Sequence, residues 1–140
     1  MASPERIWER VKNNSAFLCM DKNVPTMTAE PGNLTGQNTF NFSGIASKNV
    51  FGLDAENVGR KESIVLTTRS KRKGRQQRPG SVLVTTGIEK GKKKGPEQLN
   101  KIIASTYDRP ELLELALVKY AKIRKSFKKK VALQLVRGRK

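Results

Sequence analysis

A chain of 140 residues with a formal net charge of +17 and an isoelectric point near 10.4 predicts one domain whose surface attracts polyanions. It has no histidine, which excludes His-based acid–base catalysis, Ser-His and Cys-His nucleophile pairs and His metal sites; its single cysteine, Cys19, can form neither an internal disulfide nor a zinc cluster. Ile, Leu, Val and Phe number 34, about a quarter of the chain and above the level of a disordered one, so a small core is expected.

The charge is unevenly placed. Residues 1–59 hold five Lys or Arg against six Asp or Glu, a net of −1, and residues 60–140 hold 24 against six, a net of +18. A neutral fold followed by a polyanion-binding part is the simplest reading.

Ser3-Pro4-Glu5 is a helix start: a hydroxyl cap, a proline suited to the first turn and an acid at the positive dipole end. Ile7, Trp8 and Val11 give this helix an apolar side that ends about Asn13. Residues 17–20 predict a strand, with 24–28 returning as its neighbour. Glu30-Pro31-Gly32-Asn33 is turn chemistry. Thr39-Phe40-Asn41-Phe42 alternates and predicts a strand with both phenylalanines on one face. Residues 49–53 are a weaker strand candidate, and 54–59 read as a loop.

Two near-copies of one apolar run follow, Ile64-Val65-Leu66-Thr67-Thr68 and Val82-Leu83-Val84-Thr85-Thr86, both rich in β-branched residues. Between them, RSKRKGRQQRPG at 69–80 carries six cations in twelve residues: Arg69, Lys71, Arg72, Lys73, Arg75 and Arg78. The pattern predicts a long β-hairpin with a charged tip able to reach roughly 20 Å, at about 3.3 Å per residue. With Gly74, Pro79 and Gly80 and no apolar side chain, the tip should stay unstructured until it meets a partner.

Residues 87–95 form a second basic, glycine-flanked segment that includes Lys92, Lys93 and Lys94. Pro96-Glu97 opens a helix through Leu99, Ile102 and Ile103 to about Tyr107. Asp108 or Arg109 caps the last helix, with Pro110 in its first turn. Leu112, Ala116, Tyr120, Ile123, Phe127 and Val131 share one helical stripe, and Lys122, Lys125, Lys128 and Lys129 lie opposite. That helix either breaks after Ser126 or continues to Val136, and the RGRK end, with Arg137 and Arg139, adds a final basic element.

The fold class expected is therefore α+β: a small antiparallel sheet with a short N-terminal helix, a long basic β-hairpin arm and C-terminal helices. The division expected is a small α+β domain over 1–87, including the arm at 69–80, and a basic linker with a helical extension over 88–140.

The N-terminus lacks the apolar core of a secretory signal, and residues 112–118 are broken by Glu114 and too short to span a bilayer, so neither export nor membrane insertion is expected. The N-x-S/T sequences at Asn13, Asn33 and Asn41 are then chance matches. The Gly-Lys pairs at Gly74 and Gly91 lack the frame of a phosphate-cradling loop, and the acids are dispersed; no enzyme activity, cofactor, metal or small-molecule substrate is expected.

A single charge run usually means a solvated face or an import signal, and Lys71-Arg72-Lys73 could serve as the latter. Four separate basic elements favour polyanion contact, since their mutual repulsion needs compensation. The arginines of the tip suit bidentate phosphate contacts and stacking, while the lysines act as point charges. A membrane surface is a weaker partner, because the last helix has no bulky insertion cluster. Trp8, Phe17, Phe40 and Phe42 lie in the neutral half, where core packing is the expected use rather than base stacking.

Four motifs carry a family resemblance. Trp8-x-x-Val11-Lys12-Asn13-x-Ser15-x-Phe17-Leu18, Glu30-Pro31-x-Asn33-Leu34, Asn38-Thr39-Phe40-x-Phe42-Ser43-Gly44-Ile45 and Tyr107-x-Arg109-Pro110-Glu111-Leu112 resemble, in order and spacing, the eukaryotic large-subunit ribosomal protein twenty-eight family. The resemblance implies a non-enzymatic component of the large cytosolic ribosomal subunit, bound to ribosomal RNA that includes expansion segments and to neighbouring ribosomal proteins, and assembled in the nucleolus. The basic stretches do not align with the family residue for residue, so no individual RNA contact is carried over. A nucleolar assembly factor that binds pre-ribosomal RNA, and a DNA-compacting protein, are the rival readings.

Overall fold

The computed structural model describes residues 3–59, 61–106, 109 and 111–127. Helix α1, Pro4–Val11, begins where the cap predicts: the Ser3 hydroxyl accepts from the Arg6 N–H at 3.4 Å. Strands β1, Leu18–Cys19, and β2, Met27–Thr28, pair antiparallel within the segments expected, and Met27 also bridges to Gln37.

The strand expected at 39–42 is a 3-10 turn, Phe40–Phe42. Four alternating residues cannot by themselves separate a strand from a turn, and this segment satisfies its backbone locally, Phe42 N–H to Thr39 carbonyl and Ser43 N–H to Phe40 carbonyl. It belongs to a loop whose interior is polar. Buried Asn33 accepts through Oδ1 from the N–H groups of Thr35 and Gly36 (3.0 and 2.8 Å) and donates from Nδ2 to the Gln37 carbonyl. Buried Glu30 accepts from the Gly44 N–H at 2.7 Å. These bonds replace the water the two side chains lose on burial.

The main sheet has the order β3-β4-β5, antiparallel throughout: β3 Phe51–Val58, β4 Lys61–Arg69 and β5 Leu83–Ile88. The loop expected at 54–59 is corrected here. Asp54, Glu56 and Asn57 are poor strand formers, yet their backbone is paired to β4 along a full ladder, with Val58 opposite Lys61 and Gly59 at φ +61° in the turn. Behind the sheet the Glu30–Gly44 loop passes so closely that a Cβ at Gly52 would enter the backbone of Gly32.

The basic hairpin is β4 and β5, in register from Ile64 opposite Ile88 to Arg69 opposite Leu83. Its tip is not an unstructured arm. It folds into two single-turn helices, α2 Lys73–Gln76 and α3 Pro79–Val82, with Pro79 at the first position of the second. Polar side chains do what apolar ones cannot: Gln76 Nε2 donates to the Ser70 carbonyl at 2.8 Å, and the Ser81 hydroxyl lies 3.2 Å from the Arg75 carbonyl.

Helices α4, Lys94–Thr106, and α5, Glu111–Ser126, pack on one face of the sheet. One core cluster joins Leu34, Phe51, Leu53, Ile64, Leu66 and Ile88 to Leu99, Ile103, Leu112, Ala116 and Tyr120, so the helices following residue 88 complete the core of the sheet preceding it. The α5 stripe is as the spacing predicts, with Leu112, Ala116 and Tyr120 buried and Ile123 and Phe127 at the edge. Val131, the choice of helix end beyond residue 127, the cap candidate Asp108 and the first-turn Pro110 lie outside the described residues, while the carbonyl of the other cap candidate, Arg109, accepts from the Leu112 N–H at 3.2 Å. No helix among those described is long and apolar enough to cross a membrane.

Candidate nucleic-acid interface

The tip cations are held at the end of β4. Arg69 is half-buried, and its Nη1 donates to the Ser47 carbonyl at 2.7 Å, which fixes the end of β4 to the loop behind the sheet. Lys71, Arg72, Lys73, Arg75 and Arg78 are all exposed. Residues 63–88 contain no Asp or Glu, so no acid of that segment offsets these charges.

The folded tip creates a groove that an extended arm would lack. Its floor is the helix-facing side of β4 and β5 beyond the reach of α5: Leu66, Thr68, Val84 and Thr86, joined by Ile102 of α4. Its rim is Arg69, Ser70, Lys71, Arg72 and Arg75, and the groove, open to solvent, has a volume of about 540 Å³. Thr68 lies opposite Val84, and Leu66 opposite Thr86, on one face of the pleat. The sequence places the cations next to one another; that they overhang an apolar, hydroxyl-bearing floor depends on the turn geometry of the tip, which propensity does not reveal.

The second basic segment is anchored by a buried tyrosine. The Tyr120 hydroxyl sits 2.7 Å from the Glu89 carbonyl and 3.0 Å from that of Gly91, where it donates. Burial raises its pKa above the usual 10.0, with Arg124 pulling the other way and Glu89 adding to the rise. A side chain at Gly95 would collide with this hydroxyl, so glycine at the start of α4 lets the two helices meet. Lys92 and Lys93 lie exposed in the turn before α4, and Lys94 is its first residue. Lys122 and Lys125 are exposed on α5, away from its buried stripe. Lys128, Lys129, Arg137 and Arg139 lie outside the described residues.

Other cations have intramolecular work. Lys119 Nζ lies 3.3 Å from Asp54 Oδ1 and 3.2 Å from the Asn33 carbonyl, tying α5 to β3 and the polar loop. Arg109 pairs with Glu111 at 3.0 Å, donates to the Asn41 carbonyl and sits 5.9 Å from the Phe42 ring centre. Lys90 lies 5.3 Å over Phe127.

The aromatic expectation needs correcting. Phe42 does pack at the core edge, but Trp8 is half-buried against Phe40, with ring centres 6.1 Å apart, and Phe40 and Phe17 are 39 % and 41 % exposed. Helix α1 buries none of its residues, because it lies apart from the sheet and α5 that enclose the core.

The sequence that folds in this way matches a known family. The ribosomal L28e protein family model matches residues 6–126, from α1 to the end of α5. The chain belongs to that family. A stretch of 55 residues is 36 % identical to the large ribosomal subunit protein eL28 of Dictyostelium discoideum; it covers 39 % of this chain and 41 % of that protein, so the chain spans less than half of this relative's length. Three residues of the motifs that carried the resemblance serve the framework: Asn38 Nδ2 donates to the Lys12 carbonyl at 2.8 Å, Glu30 holds Gly44, and Asn33 closes its own loop. The match to the L28e family spans both this framework and the basic tip.

Proposed function

We propose that this protein is a non-enzymatic structural constituent of the large cytosolic ribosomal subunit. It binds ribosomal RNA, expansion segments included, through the hairpin tip, the 92–94 lysines and the exposed face of α5, and it touches neighbouring ribosomal proteins. Its site of action is the cytoplasmic ribosome, after assembly in the nucleolus. The observation that carries this reading is the exposed cluster Lys71, Arg72, Lys73, Arg75 and Arg78 in a segment without acids, on a chain of the L28e family. Such a cluster gains most from a phosphate backbone, whose counterions it releases. A-form RNA hides its major groove from side chains, so most of the recognition is by shape and backbone.

Sedimentation of cell lysate through a high-salt sucrose gradient tests it. Co-migration with large subunits, monosomes and polysomes is expected. Confinement to pre-ribosomal fractions would point instead to an assembly factor, and confinement to light fractions would exclude both.

A further inference from the structure

The groove under the tip is more than a row of charges, and its composition is wasted on a duplex backbone. A phosphate needs only the rim; it gains nothing from Val84 and Ile102, the half-buried apolar side chains of the floor. We propose that the groove receives the base of one unpaired RNA nucleotide, with its phosphate held by Arg72 and Arg75, an inference that rests on the RNA-binding function above.

Several features converge on that occupant. The volume of about 540 Å³ lies within the range of small-ligand sites, roughly 300 to 1,000 Å³. The aliphatic floor accepts the flat face of any base; the Thr86 hydroxyl beside it can donate to or accept from a base edge, and the Thr68 hydroxyl, which donates to the Val84 carbonyl at 3.5 Å, can accept. The rim arginines can stack their guanidinium planes on a base or grip the phosphate in bidentate fashion. No acid of residues 63–88 opposes an anion there. A paired base cannot enter, since its edge and face are already occupied, so the groove selects a bulge or loop nucleotide over a continuous helix.

The test uses the full chain and two RNA hairpins, identical except that one carries a single unpaired 2-aminopurine nucleotide. Tighter binding of the bulged RNA is expected, by roughly fivefold, the low end for one stacked base because the floor is aliphatic rather than aromatic. The 2-aminopurine fluorescence should rise on binding as the base leaves its RNA neighbours, a readout that needs no variant. Thr86→Glu sets a carboxylate on the groove floor from an exposed strand position, where it takes the space of the base and repels the phosphate; it should abolish the preference. Thr85→Glu carries the same charge on the other face of the same strand and should keep the preference. Equal affinity of the unaltered protein for the two RNAs, or a preference that changes equally in the two variants, overturns the groove assignment and leaves backbone binding standing. Failure to bind either RNA overturns the proposed function and the groove together.

Discussion

Arg69 Nη1 donates to the Ser47 carbonyl at 2.7 Å, so the first arginine of the basic cluster serves the fold before it serves any ligand. Its half-buried guanidinium joins the end of β4 to the loop behind the sheet, whereas Arg75, on the same tip, is exposed. Arg69→Gln should therefore lower the unfolding free energy by about 1.5 kcal/mol, the low end for a hydrogen bond from a charged donor. Arg75→Gln should change it by less than about 0.5 kcal/mol, as exposed substitutions do, while weakening RNA binding. Urea unfolding and RNA titration of both variants would separate the roles; equal loss of stability in the two would remove the distinction.

Close backbone approach at Gly52 makes a second test. Gly52→Ala drives a methyl group into the backbone of Gly32, and neither side can yield through a flexible side chain. A loss of roughly 3 kcal/mol, the upper end for overpacking, is expected in denaturant unfolding. An unchanged midpoint would mean that the loop does not lie against the sheet.

Tyr120 predicts a pH dependence with a definite sign. Because burial raises its pKa in the folded state, the neutral phenol is favoured there, and its contribution is fully present below the unfolded value of about 10. As pH rises from that value through the higher folded one, the unfolded state loses its proton first and stability falls. Tyr120→Phe should cost about 1 kcal/mol at neutral pH through the lost hydrogen bond and should remove this alkaline component. Thermal unfolding of both proteins from pH 8 to 11 checks it: a constant difference across that range would contradict it.

The outlying aromatic pair predicts a modest cost. Trp8→Ala should destabilise by about 1 kcal/mol, the worth of an aromatic pair, while Leu53→Ala, fully enclosed, should cost about 2–5 kcal/mol. Comparable losses would return Trp8 to the core.

Much of this was legible in the chain and some was not, for physical reasons. The α5 stripe and the hairpin strands follow from periodicity that packing reinforces, as Leu112, Ala116 and Tyr120 on one side and Ile64 and Leu66 on the other show. Residues 54–58 were opaque because their strand is held by a neighbour's backbone rather than by their own side chains. Phe40 and Phe42 alternate like strand residues, but no strand among the described residues pairs with them. The cations of the site could be read directly. The groove could not, since it exists only because Ser70, Gln76 and Ser81 fold the tip back over β4 and β5.

The most direct test of the account is the salt dependence of RNA binding by the full chain and by a variant with Lys71, Arg72, Lys73, Arg75 and Arg78 replaced by Gln and Arg69 retained for stability. Each of these cations that contacts a phosphate should reduce the log-log slope by about 0.7 to 0.9, so a clearly flatter dependence is predicted. An unchanged slope would take the tip out of the RNA interface and contradict the account.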